Sequence, residues 1–274
     1  MIQLIGVPYD LNRYNQRMGR TPGLLLPLLT QQTNLALAEP VLLDSLPTSG
    51  DERADVGQIM QQLGQRVQAS LAQGHFPLII GGDCTASLGA MAGLGDAASI
   101  VWIDAHGDFN TPETSPSGYL GGMPLAVLAG RGLPELRRAA GLAEPIAEER
   151  IVLLGTRDLD PLEREALDHS AVAHFTTEQL RHASDQLDAA LARVATHGPV
   201  YLHVDVDVLA SNEVPGVIYP TPGGLSRDEL AALLKRIRRH CTIAALTLTA
   251  FNASEETTPQ ALRVASAALD AAVG

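Results

Sequence analysis

The sequence predicts an α/β protein, with a largely parallel sheet wrapped by helices. Three observations carry this. Short runs rich in Ile, Val and Leu alternate with longer Ala/Leu-rich amphipathic segments. The alternation continues to the C-terminus without a low-complexity break, and no solenoid repeat or Pro/Ser/Gly linker divides the chain, so residues 1–274 read as one domain. Strands are expected at Ile2–Val7, Val41–Asp44, Pro77–Ile80, Ser99–Asp104, Arg150–Leu154, Val172–Phe175, Val200–Asp205 and Ile243–Thr249. Helices are expected at Ala54–Gln73, Pro161–His169, Thr177–Thr196, Ser226–His240 and Thr258–Ala272, where apolar residues recur at three and four. Ser226 and Thr258 read as their N-terminal caps. A closed eight-stranded barrel and an open doubly wound sheet both satisfy this pattern, and both place ligands at the C-terminal ends of strands.

Composition narrows the function. The 274 residues are 46% hydrophobic and 18% charged, which supports a well-buried core and excludes disorder as the main state. The net charge of -12, from 19 basic and 31 acidic residues, argues against a phosphate-backbone binder and suits cation binding. No signal peptide or membrane-spanning run is read, and Cys84 and Cys241 make no disulfide framework, so a reducing, cytoplasmic location is expected. The expected partner is a small molecule, with no nucleic acid and no membrane.

Three clusters carry chemistry. Gly81-Gly82-Asp83-Cys84-Thr85 follows the third expected strand and Asp104-Ala105-His106-Gly107-Asp108-Phe109-Asn110 the fourth. His203-Val204-Asp205-Val206-Asp207 closes the seventh. Residues two apart on an extended chain share a face, so Asp104, His106 and Asp108 should converge, as should Asp205 and Asp207. Acidic residues after strands commonly cap helices or shape turns, and any one cluster alone would be read so. Three on one sheet edge bring four carboxylates, an imidazole and a thiol together, which makes sense around cations. Four carboxylates exceed what one divalent ion uses, so two metals with bridging carboxylates are inferred. Oxygen donors with one histidine favour Mn(II), while the Cys84 sulfur leans toward Zn(II).

These residues resemble the ureohydrolases, the family of arginase and agmatinase. The likeness runs from Gly6-Val7-Pro8-Tyr9-Asp10 through the metal motifs to Pro222-Gly223-Gly224-Leu225-Ser226 and the final strand. The family's motifs read GGDH, DAHxDxN and DxDxxD, and Asp104, His106, Asp108, Asp205 and Asp207 fall on their ligand positions. The resemblance implies an open three-layer fold with an eight-stranded, mainly parallel sheet. It implies that Asp104 and Asp205 bridge two Mn(II) ions, that Asp108 joins Cys84 on the first, and that His106 and Asp207 complete the second. It also implies attack of a metal-bridging hydroxide on a guanidine-type carbon. By the same resemblance, Asn110, Ser115, Ser117, Asp160 and Glu163 bind an arginine-like amino acid, the last two at its ammonium. Asp160 and Glu163 have a plainer reading, in which Asp160 with Pro161 starts a helix. Members of the family often form homo-oligomers.

Three positions depart from arginases. Cys84 replaces a metal-binding histidine, Gly121 stands where a proton-shuttling histidine lies, and Ala250 stands where a glutamate pairs with the guanidinium. Glu255 and Glu256 lie several residues on and are not promoted to that role. A less basic substrate suits these changes. The pattern is similar to that of the Nω-hydroxy-L-arginine hydrolase of D-cycloserine biosynthesis, which implies a role in antibiotic biosynthesis, with hydroxyurea and L-ornithine as products. Hydrolysis of another amidino or formimino compound, or a metal-binding pseudoenzyme, are the alternatives. Asp108 and His203 are the catalytic candidates, although His203 also reads as a hydrogen-bonded, non-catalytic imidazole. His169, His174, His182, His197 and His240 read as surface or structural residues, and Cys241 as a buried thiol. Trp102, assigned to the sheet face opposite Asp104, reads as core.

Overall fold

The structure, a computed structural model, describes residues 1–32, 35–182 and 184–273. Eight strands form one sheet: β1 (Ile2–Val7), β2 (Val41–Leu42), β3 (Phe76–Gly81), β4 (Ser99–Ile103), β5 (Ile151–Thr156), β6 (Ala173–Thr176), β7 (Val200–Asp205) and β8 (Ile243–Thr249). Their spatial order is β2-β1-β3-β8-β7-β4-β5-β6, and every pairing is parallel. The edge strands β2 and β6 lie at opposite ends of this order, so the sheet is open and the barrel alternative falls.

Among the described residues, ten helices cover the two faces: α1 (Thr21–Gln32), α2 (Glu52–Ala72), α3 (Ala86–Leu94), α4 (Pro124–Leu128), α5 (Pro134–Ala139), α6 (Pro161–Asp168), α7 (Thr177–His182), α8 (Ser184–Ala195), α9 (Arg227–His240) and α10 (Thr258–Val273). Alternation along each strand divides the core in two. Leu4, Leu78, Ile80, Val101 and Ile103 pack with α1, α8, α9 and α10. Ile5, Ile79, Ile100, Trp102 and Tyr201 pack with α2, α3, α4 and α5. Strands buried on both faces read as continuous aliphatic runs, which is why they were visible in the sequence.

The sequence expectations hold for all eight strands within a few residues. Ser226 caps α9 as expected, in a capping box with Glu229. Thr258 does not cap α10. It is the first helical residue, and its hydroxyl turns back to donate to the Ser254 carbonyl at 2.6 Å. The helix expected over Thr177–Thr196 is described as α7 and α8, with residue 183 outside the described residues. Four helices among the described residues, α1, α3, α4 and α5, lie outside the expected set. Most of α3 is buried and small-residue-rich, and α1 carries Pro27 in its interior.

Three glycines let the loops close on the sheet ends. A Cβ on Gly82 would overlap the Tyr9 carbonyl oxygen and stand 3.0 Å from the Gly19 nitrogen. Gly82 therefore holds the loop after β3 against the short hairpin of Tyr9–Asp10 and Arg13–Tyr14. Gly81 and Gly224 meet similarly close neighbours. Gly82→Ala is expected to lower stability by about 1–3 kcal/mol, the usual cost of forcing an extra carbon into a packed site, measured as a lower urea midpoint with an unchanged slope.

Candidate metal centre

Four neighbouring central strands, β3, β8, β7 and β4, end at one point. Cys84 follows β3, Thr249 and Ala250 end and follow β8, Asp205 ends β7, and Asp104 follows β4. A cavity of about 250 Å³ opens above them, lined by Cys84, His106, Asp108, Asp205 and Asp207, with Asn110, Ser115, Ser117, Asp160 and Glu163 among its other walls. This is the crevice at the strand C-termini where open parallel sheets bind ligands.

Two groups of side chains present donor atoms close enough to share an ion. Asp104, His106 and Asp207 form one, and Cys84, Asp104 and His203 the other, so Asp104 belongs to both. His106 Nδ1 is 3.0 Å from Asp207 Oδ2 and 3.4 Å from Asp104 Oδ1. Cys84 Sγ donates to Asp205 Oδ2 at 3.0 Å. Asp108 Oδ2 is buried with no hydrogen-bond partner among the described residues. The carboxylates are held by backbone amides: Asp104 Oδ1 accepts from His106 N at 2.7 Å and Asp205 Oδ1 from Asp207 N at 2.8 Å, both local, while Asp207 Oδ1 accepts from Ala105 N at 3.2 Å across neighbouring loops.

Convergence is achieved differently from the extended-chain expectation. Residues 104–110 form an irregular loop, and Asp207 sits in the 3-10 turn Val206–Val208. Asp108 adopts φ +48°, so a left-handed residue, and not strand alternation, turns its carboxylate into the cavity. Trp102 requires a second correction. It is core, but two residues from Asp104 puts it on the same face. Its indole donates to Asp104 Oδ2 at 3.0 Å.

The electrostatics fit divalent cations. Burial pushes the Asp108 and Asp205 carboxyls well above the usual range, and neighbouring aspartates add to it. Burial and then Asp104 raise Asp207, while burial and then Asp205 raise the Cys84 thiol. Burial opposes ionisation of Asp104 too, but hydrogen bonds and charge from His106 more than offset it and leave its pKa lowered. Burial disfavours the His106 cation, yet its bonds to Asp104 and Asp207 push the pKa up to about 12. His203 is wholly buried, which pushes its pKa down to about 3, and it does not line the cavity.

The outer residues are tied to this centre. Asn110 Nδ2 donates to Asp160 Oδ2 at 3.0 Å. Glu163 Oε1 accepts from Phe109 N at 2.9 Å and Oε2 from Asp160 N at 3.3 Å, so Glu163 begins α6 and braces the metal loop at once. Burial raises its pKa to about 7. Ser115 and Ser117 lie at the rim with hydroxyls 3.5 Å apart. Gly121 and Ala250 both line the cavity. A Cβ on Gly121 would overlap the Tyr119 ring, so that ring fills the space a larger side chain would need. Tyr119 was missed in the sequence, as were Asp83, Asp158, Met18, Val217, Ile218 and Tyr219, which also line the cavity. Asp83 and Asp158 lay within motifs and Met18 sits in the 3-10 turn Arg17–Arg20, whereas the others come from loops with no local signal.

An open parallel α/β sheet with a carboxylate-rich, metal-suited cluster at its central strand ends defines a class of metal-dependent hydrolases. The sequence profile of the arginase family matches residues 1–273. Arginase from Bacillus subtilis is 31% identical over 244 residues, covering 83% of this chain and 82% of its own, and arginase from Bacillus caldovelox is 32% identical over 83% of each. The crystal structure of the Bacillus subtilis arginase superposes with a TM-score of 0.85 at 28% identity, covering 100% of this chain and 98% of that one. The chain belongs to the arginase family, hydrolases that act on carbon–nitrogen bonds in linear amidines.

The raised pKa values give metal binding a direction with pH. His106, Cys84, Asp108, Asp205 and Asp207 all retain protons more tightly than they would in water, and a cation must displace them. Apparent affinity for a divalent cation is therefore expected to rise from mildly acidic to mildly alkaline buffer, with proton release on binding. Titration calorimetry in buffers of different ionisation enthalpy measures both, and a pH-independent affinity would contradict this protonation pattern.

Proposed function

We propose that residues 1–274 form one catalytic unit, a binuclear Mn(II) amidinohydrolase that cleaves Nω-hydroxy-L-arginine to hydroxyurea and L-ornithine. The observation that carries the choice of substrate is the cavity wall: Ala250 presents a methyl group, and the Tyr119 ring occupies the space over Gly121. By the family resemblance, Ala250 stands where a glutamate would face the guanidinium of arginine. Leaving a buried cation without such a partner costs roughly 3–5 kcal/mol. N-hydroxylation lowers the basicity of a guanidine, so the substrate enters neutral and no partner is missing.

When bound, a pair of divalent cations supplies Lewis acidity and a water of lowered pKa as nucleophile. Cys84, Asp104, Asp108 and Asp205 are assigned to one ion, and Asp104, His106, Asp205 and Asp207 to the other. Asn110, Ser115 and Ser117 hold the α-carboxylate at the rim, while Asp160 and Glu163 face the α-ammonium. This fixes the distance from the amino-acid end to the reacting carbon. Water oxygen adds to that carbon and the bond to the ornithine side-chain nitrogen breaks; of the two water protons, one leaves on that nitrogen and the other stays on the hydroxyurea. Asp108 Oδ2, buried and without a protein partner, is the atom assigned to carry the proton to that nitrogen. His203, behind Cys84 and not among the cavity-lining residues, is assigned no part in the proton transfer.

Steady-state ornithine release tests the reading. Nω-hydroxy-L-arginine should be preferred over L-arginine by at least about 10²-fold in kcat/KM, the rate equivalent of roughly 3 kcal/mol. Equal rates would remove the basicity argument, and turnover of neither would point to another amidino compound. Ala250→Glu should shift the preference back toward L-arginine. Asp104→Ala should abolish turnover while circular dichroism stays unchanged, whereas a pseudoenzyme would show no turnover to lose.

A further inference from the structure

Beneath Cys84 lies a buried polar layer that this mechanism does not use. The His203 ring stacks on Trp102, with centroids 3.7 Å apart and planes within 17°. His203 Nδ1 is 3.0 Å from the Tyr201 hydroxyl. On its other side, Nε2 is 3.4 Å from Cys84 Sγ and 3.2 Å from Thr249 Oγ1. Thr249 Oγ1 is itself 3.4 Å from Cys84 Sγ. All these residues are buried.

The polarity of the chain follows from what each group can donate. The Tyr201 hydroxyl meets two groups, His203 Nδ1 at 3.0 Å and the Thr247 hydroxyl, which donates to the phenol oxygen. A buried phenol that donates to nothing is costly, so its O–H points at Nδ1. A neutral imidazole accepting at Nδ1 carries its proton on Nε2. That N–H faces the sulfur and the threonine hydroxyl.

We propose that His203 is a positioning residue for a metal-binding sulfur: with Thr249 it forms a hydrogen-bonded cradle that fixes Cys84 Sγ beside Asp104, and Tyr201 sets its tautomer. The proposal rests on reading Cys84 and Asp104 as metal ligands. When a cation binds, the S–H bond breaks, the proton passes to solvent, and a sulfur lone pair forms the bond to the metal; nothing is oxidised or reduced. The sulfur then stops donating to Asp205 and becomes an acceptor only, for which the His203 N–H and the Thr249 O–H are already in place. Such outer hydrogen bonds orient a ligand and temper its donor strength. The imidazole also fills volume that a side chain as short as cysteine leaves beneath the loop.

Co(II) added to the metal-free full-length protein tests this through the sulfur-to-cobalt charge-transfer absorption in the near ultraviolet. The wild type should show this band and Cys84→Ser should lack it. His203→Phe keeps a ring against Trp102 but loses the N–H. It should keep the wild-type Co(II) stoichiometry, bind Co(II) about 10–100-fold more weakly, and show the band at longer wavelength. His203→Gln, which restores an N–H, should recover much of both changes, and Tyr201→Phe should shift the band part of the way. An unshifted band with wild-type affinity in His203→Phe would overturn the proposal. So would loss of a Co(II) equivalent in that variant, which would make His203 itself a ligand, or the absence of a sulfur band in the wild type. Thermal melts of the metal-free variants establish folding, and Tyr201→Phe and His203→Gln decide the question if His203→Phe does not fold. No substrate enters these measurements. Failure to hydrolyse hydroxyarginine, with the band shifting as described, would sink the proposed function alone.

Discussion

Mutual repulsion among Asp104, Asp108, Asp205 and Asp207 is the constraint on which the rest of the structure depends, because four neighbouring parallel strands deliver their acids to one point. Such a cluster is tolerable only if something else carries positive charge or lends hydrogen bonds. Backbone amides hold three of the carboxylates, the Trp102 indole steadies Asp104, and His106 bridges Asp104 to Asp207. Asp108 has no such help at Oδ2 and sits in a left-handed backbone conformation. A left-handed backbone and a buried acceptor without a hydrogen-bond partner among the described residues both cost stability at this one position.

The surrounding loops serve the same centre. Glu163 starts α6 and also receives the Phe109 amide, so the first turn of a helix locks the loop that carries Asp108. Arg157 Nη2 donates to the Asp207 carbonyl at 2.7 Å and to that of Thr221 at 3.0 Å, tying the turn after β7 to the loop that precedes α9. The segment Arg157-Asp158-Leu159-Asp160-Pro161-Leu162-Glu163 thus has two duties, as a helix start and as a wall of the cavity. The plain structural reading and the functional one apply to the same atoms.

The positions that depart from the arginase pattern, Cys84, Gly121 and Ala250, all line the cavity. The Tyr119 ring lies against Gly121 in the cavity wall. Behind Cys84, the buried residues His203, Tyr201 and Trp102 form a packed and hydrogen-bonded layer.

The sequence by itself determined the parallel α/β class, all eight strands, the three acidic clusters and the strand edge they share, because doubly buried strands and their terminal motifs are local patterns. The family resemblance also pointed to Asn110, Ser115, Ser117, Asp160 and Glu163, which line the same cavity. Tertiary structure decided what local pattern cannot encode. The open sheet order brings β3, β8, β7 and β4 side by side although they are far apart in sequence. The left-handed turn at Asp108 aims a carboxylate that alternation alone would have aimed differently, and Trp102 proved to belong to the Asp104 face. Tyr119 enters the cavity because glycine at position 121 leaves room for its ring, and His203 stays beneath it because its strand position lies one pleat deeper than Asp205. Depth and neighbourhood across a sheet are set by packing between distant segments, so they appear only once the chain has folded.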